Sequence, residues 1–295
     1  MQLTTHSRRY VVPYAFVLPI ILLLLITNLY PMAYSVFLSL SVWPMEKFLA
    51  DPTFSGLINF QRMFSDQRLW NSVAFMVFYV VATMVCELLL GLIVALILDR
   101  PLWGRSIFRS LVILPMAMAP LVVGISLSYL LNYDFGLVNY LLGLFGIDRI
   151  VWLSALPWAR ISLVIVEVWQ HTPFFVIVLL AGLQAIPDEY SEAAHIDGGG
   201  PGQVFWHITL PLLRPALLVA LVIRTTNAVR MFDHAYALTG GGPATSTETF
   251  SLLAYVEAFQ LHNVPYAAAI SWFIFVLNLA ITLLFIRVLY VKVEV

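Results

Sequence analysis

Five ionisable residues stand inside or at the ends of otherwise apolar runs: Glu87, Glu167, Arg224, Arg230 and Asp233. In hydrocarbon an ionised side chain is costly unless it is paired or wetted, so these groups must turn towards one another or towards an interior space. Arg224 follows Pro215 by nine residues. That is roughly 14 Å along a helix axis, near the middle of a bilayer. Glu167 reaches a similar depth from the opposite side and suits the role of counter-ion; the pair serves equally well to tie two helices together or to line a pathway. Asn227 lies nearly one turn beyond Arg224, and Trp169 follows Glu167 by two. An amide can hydrogen-bond ligand hydroxyls and an indole can stack on an apolar ring face, although Trp169 has an equally ordinary use in core or lipid-boundary packing. Arg230 and Asp233 are three apart, which predicts a local ion pair on one helix.

The elements that must hold these groups are membrane spans. Of 295 residues, 61% are apolar and only 11% charged, and the mean hydropathy is +0.92, which excludes the charged surface of a soluble protein. A span needs about 20 apolar residues. Six runs qualify, near 11–40, 70–98, 108–131, 158–182, 215–237 and 265–289, predicting a single all-α transmembrane domain over 1–295. The first run is too long for the apolar core of a cleavable signal peptide and predicts a retained helix. Cys86 is the sole cysteine, so an internal disulfide is impossible, and a net charge of −1 carries no nucleic-acid signature.

Lys and Arg favour the cytoplasmic side. With the N-terminus inside, Arg8, Arg9, Arg100, Arg105, Arg109, Arg214, Arg287 and Lys292 are cytoplasmic, against Lys47, Arg62, Arg68, Arg149 and Arg160 outside. Both termini are therefore expected in the cytoplasm, and the segment 183–214 with them.

That segment contains EAAHIDGGGPGQVFWHITLPLLRP, from Glu192 to Pro215. Pro187 suits a first helical turn, Asp188 and Glu189 suit the positive end of the helix dipole, and Gly198 suits a left-handed cap, predicting a short helix over 187–197. Tyr190, Ala193, Ala194 and Asp197 share one face, on which the two alanines permit close approach. The glycines and Pro201 then force a turn, and a second short helix over 203–210 precedes Pro211 and Pro215. An ordinary connecting loop has the same composition.

The order Glu192, Ala193, Ala194, Asp197, Gly198, Phe205, Ile208, Leu210, Pro211 and Pro215 resembles the EAA loop of permease subunits of bacterial ABC importers. WQHTPFFVIVLLAGLQAIP (169–187), RTTNAVRMFDHAYALTGGGP (224–243), 16–39 with Tyr30-Pro31, and 56–64 resemble the carbohydrate-uptake branch, relatives of maltose and glycerol-3-phosphate permeases. The resemblance implies a type I permease fold in the bacterial cytoplasmic membrane, with the short helix seated in a cleft of a cytoplasmic ATPase and Glu192 facing a basic group there. It further implies a second, different permease subunit, two ATPase copies and an extracytoplasmic solute-binding protein met by the loop Gly240, Gly241, Gly242 and Pro243. That loop is otherwise a flexible backbone or a simple turn. The chain departs from the family pattern at Gly199–Gly202, where alanine or polar residues are more usual.

A phosphate-binding loop needs glycines followed by Lys and Ser or Thr. Lys47 and Lys292 follow no such run, so ATP and magnesium belong to the partner subunit and the chain itself is expected to bind no cofactor. The histidines at 6, 171, 195, 207, 234 and 262 lack zinc-like spacing, and no catalytic or metal-ligating constellation emerges. The competing reading is an ion-coupled secondary transporter with Glu87, Glu167 and Arg224 as the relay. A docking loop for an ATPase has no use in such a protein.

Overall fold

In hydrocarbon the backbone must satisfy its own hydrogen bonds, so long apolar runs become helices. The computed structural model describes residues 5–43, 51–101 and 103–289, and they are helical almost throughout. Lys47, Lys292 and the side chains of Arg8 and Arg9 lie outside the described residues. In chain order the elements are α1 (Phe16–Ser39), β1 (Ser41–Val42), β2 (Thr53–Phe54), α2 (Ile58–Ser65), α3 (Gln67–Asp99), α4 (Arg105–Ala117) and α5 (Pro120–Leu130). They continue with α6 (Leu137–Leu144), α7 (Trp158–Gln184), α8 (Asp188–Ile196), α9 (Pro201–Leu212), α10 (Arg214–Val229), α11 (Phe250–Tyr255) and α12 (Val264–Leu289). Among the described residues four helices are long and apolar enough to cross a membrane, and up to six spans result if each bent pair counts as one.

The chain divides into two compact units, 1–66 with 254–273 and 67–253 with 274–295. In the first, α1 exposes its apolar side chains from Phe16 to Phe37, as a lipid-facing helix does, and buries Leu38 in its last turn. Where α1 ends, the Asn59 amide donates to the carbonyls of Ser39 and Ser41 at 3.0 and 2.8 Å. The antiparallel pair β1–β2 closes the turn that follows. The Arg62 guanidinium sits 4.1 Å over the Tyr266 ring, whose hydroxyl donates to Asp66.

The second unit is built on α3 packed along α7, with α10 against both. Small residues let the backbones approach, the usual device where lipid removes the hydrophobic drive between helices. A Cβ on Gly91 would collide with Phe175 Cβ, and one on Gly182 would lie 2.7 Å from Ala216 Cβ. Gly91→Leu is expected to force α3 and α7 apart and to destabilise the protein by about 1–3 kcal/mol. Thermal unfolding of the detergent-purified variant checks this, and an unchanged midpoint would contradict the close packing.

Two expected spans are not straight rods. The run 108–131 forms α4 and α5, which meet at 93°. Ala119, preceding Pro120, is held extended at ψ 127°, as a residue before proline prefers, and the helix breaks there. The run 215–237 begins as α10, bent by 61° from α9, but α10 stops at Val229. The chain turns at Arg230–Phe232 and resumes a helical turn at Ala235–Thr239. No proline or glycine forces this second break; it brings His234 against α7.

Candidate functional site: a buried charge cluster beside a polar cavity

Arg224 is 3% exposed on α10, and its guanidinium meets two carboxylates. Nε and Nη2 donate to the two oxygens of Glu87 from α3, each at 2.9 Å, the fork geometry that makes arginine–carboxylate pairs strong. Nη2 also donates to Glu167 Oε1 from α7 at 2.7 Å. Three helices are thus tied through one side chain. Glu87 is the bidentate partner, and Glu167, the expected counter-ion, accepts the third bond.

The cluster extends further than the charges flagged in the sequence. His234 Nδ1 lies 2.8 Å from Glu167 Oε2, and its Nε2 lies 2.7 Å from Gln170 Oε1. Gln170 in turn donates its amide to the Met118 carbonyl at 2.9 Å, satisfying an acceptor left free where α4 breaks from α5. That bond settles proton placement. With its nitrogen spent on Met118, Gln170 presents an oxygen to His234, so Nε2 must donate; Nδ1 faces a carboxylate. The Glu167–His234 contact therefore holds a proton, as imidazolium and carboxylate or as neutral ring and acid. In either form Glu87, Glu167, Arg224 and that proton sum to zero charge. His171 Nδ1 is 3.2 Å from Glu167 Oε1, out of hydrogen-bonding alignment.

Beside the cluster opens a cavity of about 390 Å³ walled by Glu167, His171, Arg224, Asn227, Arg230 and Asp233 among others. Of the residues expected on a pathway, Arg224, Glu167 and Asn227 meet here. Trp169 does not line the cavity: two residues from Glu167 it emerges on another side of α7, 47% exposed. Arg230 and Asp233 form no ion pair with each other among the described residues, because the helix ends at Val229, just before Arg230; both turn to the cavity instead. His234 and Gln170 went unassigned in the sequence. Their signal was present, since Gln170 falls one helical turn from Glu167 and His234 adjoins Asp233, an acid already singled out.

The expected short helix forms, one residue shorter at each end: Pro187 is its extended N-cap at ψ 137° and not a first-turn residue, and Asp188 and Glu189 occupy the first turn. At its end Gly198 adopts φ +85°, Gly198 N–H donates to His195 O and Gly199 N–H donates to Ala194 O at 2.8 Å, closing a Schellman cap. A Cβ at Gly199 would lie 2.8 Å from that same carbonyl oxygen, so the glycine run that departs from the family pattern meets a steric demand. Glu192, Ala193, Tyr190 and Asp197 are exposed and Ala194 is half-buried. The second short helix runs through Ile208, Leu210 and Pro211, all half-buried, and Trp206 projects outward.

The Gly240–Pro243 loop is a tied turn, with Gly240 and Gly241 in left-handed conformations. Thr247 Oγ1 donates to Gly242 O at 2.6 Å. Arg68 grips the buried Glu248 carboxylate at 2.7 and 2.6 Å, and Arg160 donates to Ser246 O at 3.1 Å. Glu248, absent from the sequence reading, is what anchors it.

Apolar spans that break beside a polar cavity, with an exposed capped helix between two of them, define a membrane transport component. The profile of the family described as "Binding-protein-dependent transport system inner membrane component" matches residues 87–291, and the chain belongs to that family. The trehalose/maltose transport system permease protein MalF of Thermococcus litoralis is 38% identical, covering 93% of this chain and 92% of the relative. The sulfoquinovosyl glycerol transport system permease protein SmoG of Agrobacterium fabrum is 32% identical, covering 93% and 89%. Among solved structures, a chain of a bacterial ABC transporter involved in the import of the acidic polysaccharide alginate superposes with a TM-score of 0.82 at 24% identity, covering 97% of this chain and 98% of that one. The fold is that of an ABC importer permease. Nothing in these similarities supports the ion-coupled reading, and the three residues it invoked are fully paired.

Proposed function

We propose that this chain is the non-catalytic membrane subunit of an ATP-driven importer for a carbohydrate, working with a second permease subunit, two cytoplasmic ATPase subunits and an extracytoplasmic solute-binding protein. The observation that carries the reading is α8, a capped, exposed helix between two spans, carrying the Glu192-Ala193-Ala194 sequence. A self-sufficient carrier has no need of such a handle. On this reading α8 and the following short helix face the cytoplasm, with both termini, and closure of the ATPases pushes on α8 to move α7 and α10.

The cavity at Arg224 supports the cargo class. Its volume falls within the roughly 300–1,000 Å³ of small-molecule sites. Asn227, Arg230, Asp233 and His171 offer both donors and acceptors around a charge-balanced cluster. A neutral ligand rich in hydroxyls can use both without burying an uncompensated charge. The tied turn at Gly240–Pro243 is then a firm contact for the binding protein. Uptake in proteoliposomes tests the whole reading: radiolabelled sugar should accumulate only when the ATPase, ATP and the binding protein are all supplied. Accumulation without the ATPase subunit would refute it.

A further inference from the structure

At the end of the second unit that leads into α8, Arg105 and Arg109 lie one turn apart on α4, an arrangement that repels. Among the described residues neither makes an ion pair, and Asp99, the nearest acid in sequence, is exposed. The Gln184 amide, at the last residue of α7, abuts Nη2 of both arginines, and since these are donors it can bond them only with its oxygen turned to the pair, 2.6 Å from Arg109 Nη2. One neutral oxygen thus serves two cations. The Nε atoms of both arginines are buried with no hydrogen-bond partner in the chain. Those covered Nε atoms are out of a ligand's reach, but two guanidinium charges that share one neutral acceptor and no carboxylate still lack a counter-anion, which their remaining nitrogens could bind.

From the arginines an apolar groove of about 190 Å³ runs between α4 and α7, lined by Val112, Ile113, Ile177, Leu180 and Ala181. A free phosphate or an acidic side chain would use the arginines and leave the groove unfilled. We propose that the site holds an anionic phospholipid, its phosphate beside the guanidinium groups of Arg105 and Arg109 and an acyl chain in the groove. On the orientation given above this is a lipid of the inner leaflet, bound at the ends of α4 and α7 beside the start of α8. The site is independent of the cargo assignment.

Native mass spectrometry of the transporter assembled with its ATPase subunits, in a mixture of phosphatidylglycerol and phosphatidylcholine with identical acyl chains, tests this. The wild type should retain phosphatidylglycerol preferentially. R105Q/R109Q should lower that retention about tenfold. Ala181→Trp, which fills the groove and leaves the arginines intact, should lower it as well. Equal retention of the two lipids, or no change in R105Q/R109Q, would overturn the proposal. Displacement of the lipid by millimolar inorganic phosphate with no effect of Ala181→Trp would assign the site to a free anion. Loss of the ATPase subunit from R105Q/R109Q with lipid retention intact would assign it to an acidic group of that partner.

Discussion

Arg224→Gln is expected to destabilise the folded protein by about 3–5 kcal/mol, the usual cost of leaving a buried charge without its partner. The substitution strands Glu87, which is wholly buried and whose two oxygens both accept from the guanidinium. It also removes one of the bonds to Glu167. A sharper expectation follows from the charge balance. In R224Q/E87Q the remaining Glu167, His234 and their shared proton again sum to zero, so the double variant should recover most of the stability lost in R224Q, measured by thermal unfolding in detergent. If the double variant is as damaged as the single, charge compensation does not explain the cluster. Uptake discriminates a second role: Arg224 also lines the cavity, so a stable but transport-deficient R224Q/E87Q would place the residue on the pathway, whereas a stable and active one would leave it as a tie between α3, α7 and α10.

The coupling reading has its own large effect. Glu192→Lys reverses the charge on the exposed face of α8, and Gly198→Asp puts a side chain at φ +85° and a carboxylate beside the cap. Each variant should weaken docking of the ATPase by roughly tenfold or more and abolish uptake, the first because reversing one charge in a docked pair costs about 2 kcal/mol or more, the second because a side chain at positive φ strains the cap that fixes α8. Membrane insertion should be normal, because neither side chain packs against the spans. ATP hydrolysis, sugar uptake and copurification of the ATPase are the three measurements. Full uptake with either variant would show that α8 is not where the force is applied.

Segments whose structure depends on nearby residues were legible before any coordinates. The lengths of α1, α3, α7 and α12 follow from apolar runs matched to bilayer thickness, and α8 follows from Pro187, two acids and Gly198, all acting within one or two turns. Its family likeness was readable for the same reason, being carried by a short ordered motif. Burial of Glu87, Glu167 and Arg224 was readable as well, because charge in an apolar run has few places to go.

Which groups would meet was not readable, since pairing between helices depends on their relative rotation and on where they break. Arg230 and Asp233 have ion-pair spacing only on a continuous helix, and the end of α10 at Val229 cancels it. The same break presents His234 to Glu167 and Gln170, and the kink before Pro120 leaves the Met118 carbonyl for Gln170 to satisfy. Glu167 and Trp169 were both pathway candidates, yet a separation of two residues turns them to different sides of α7. Local chemistry therefore determined the elements and the charges that had to be hidden; the tertiary structure alone chose their partners, because partner choice is a property of several helices packed at once.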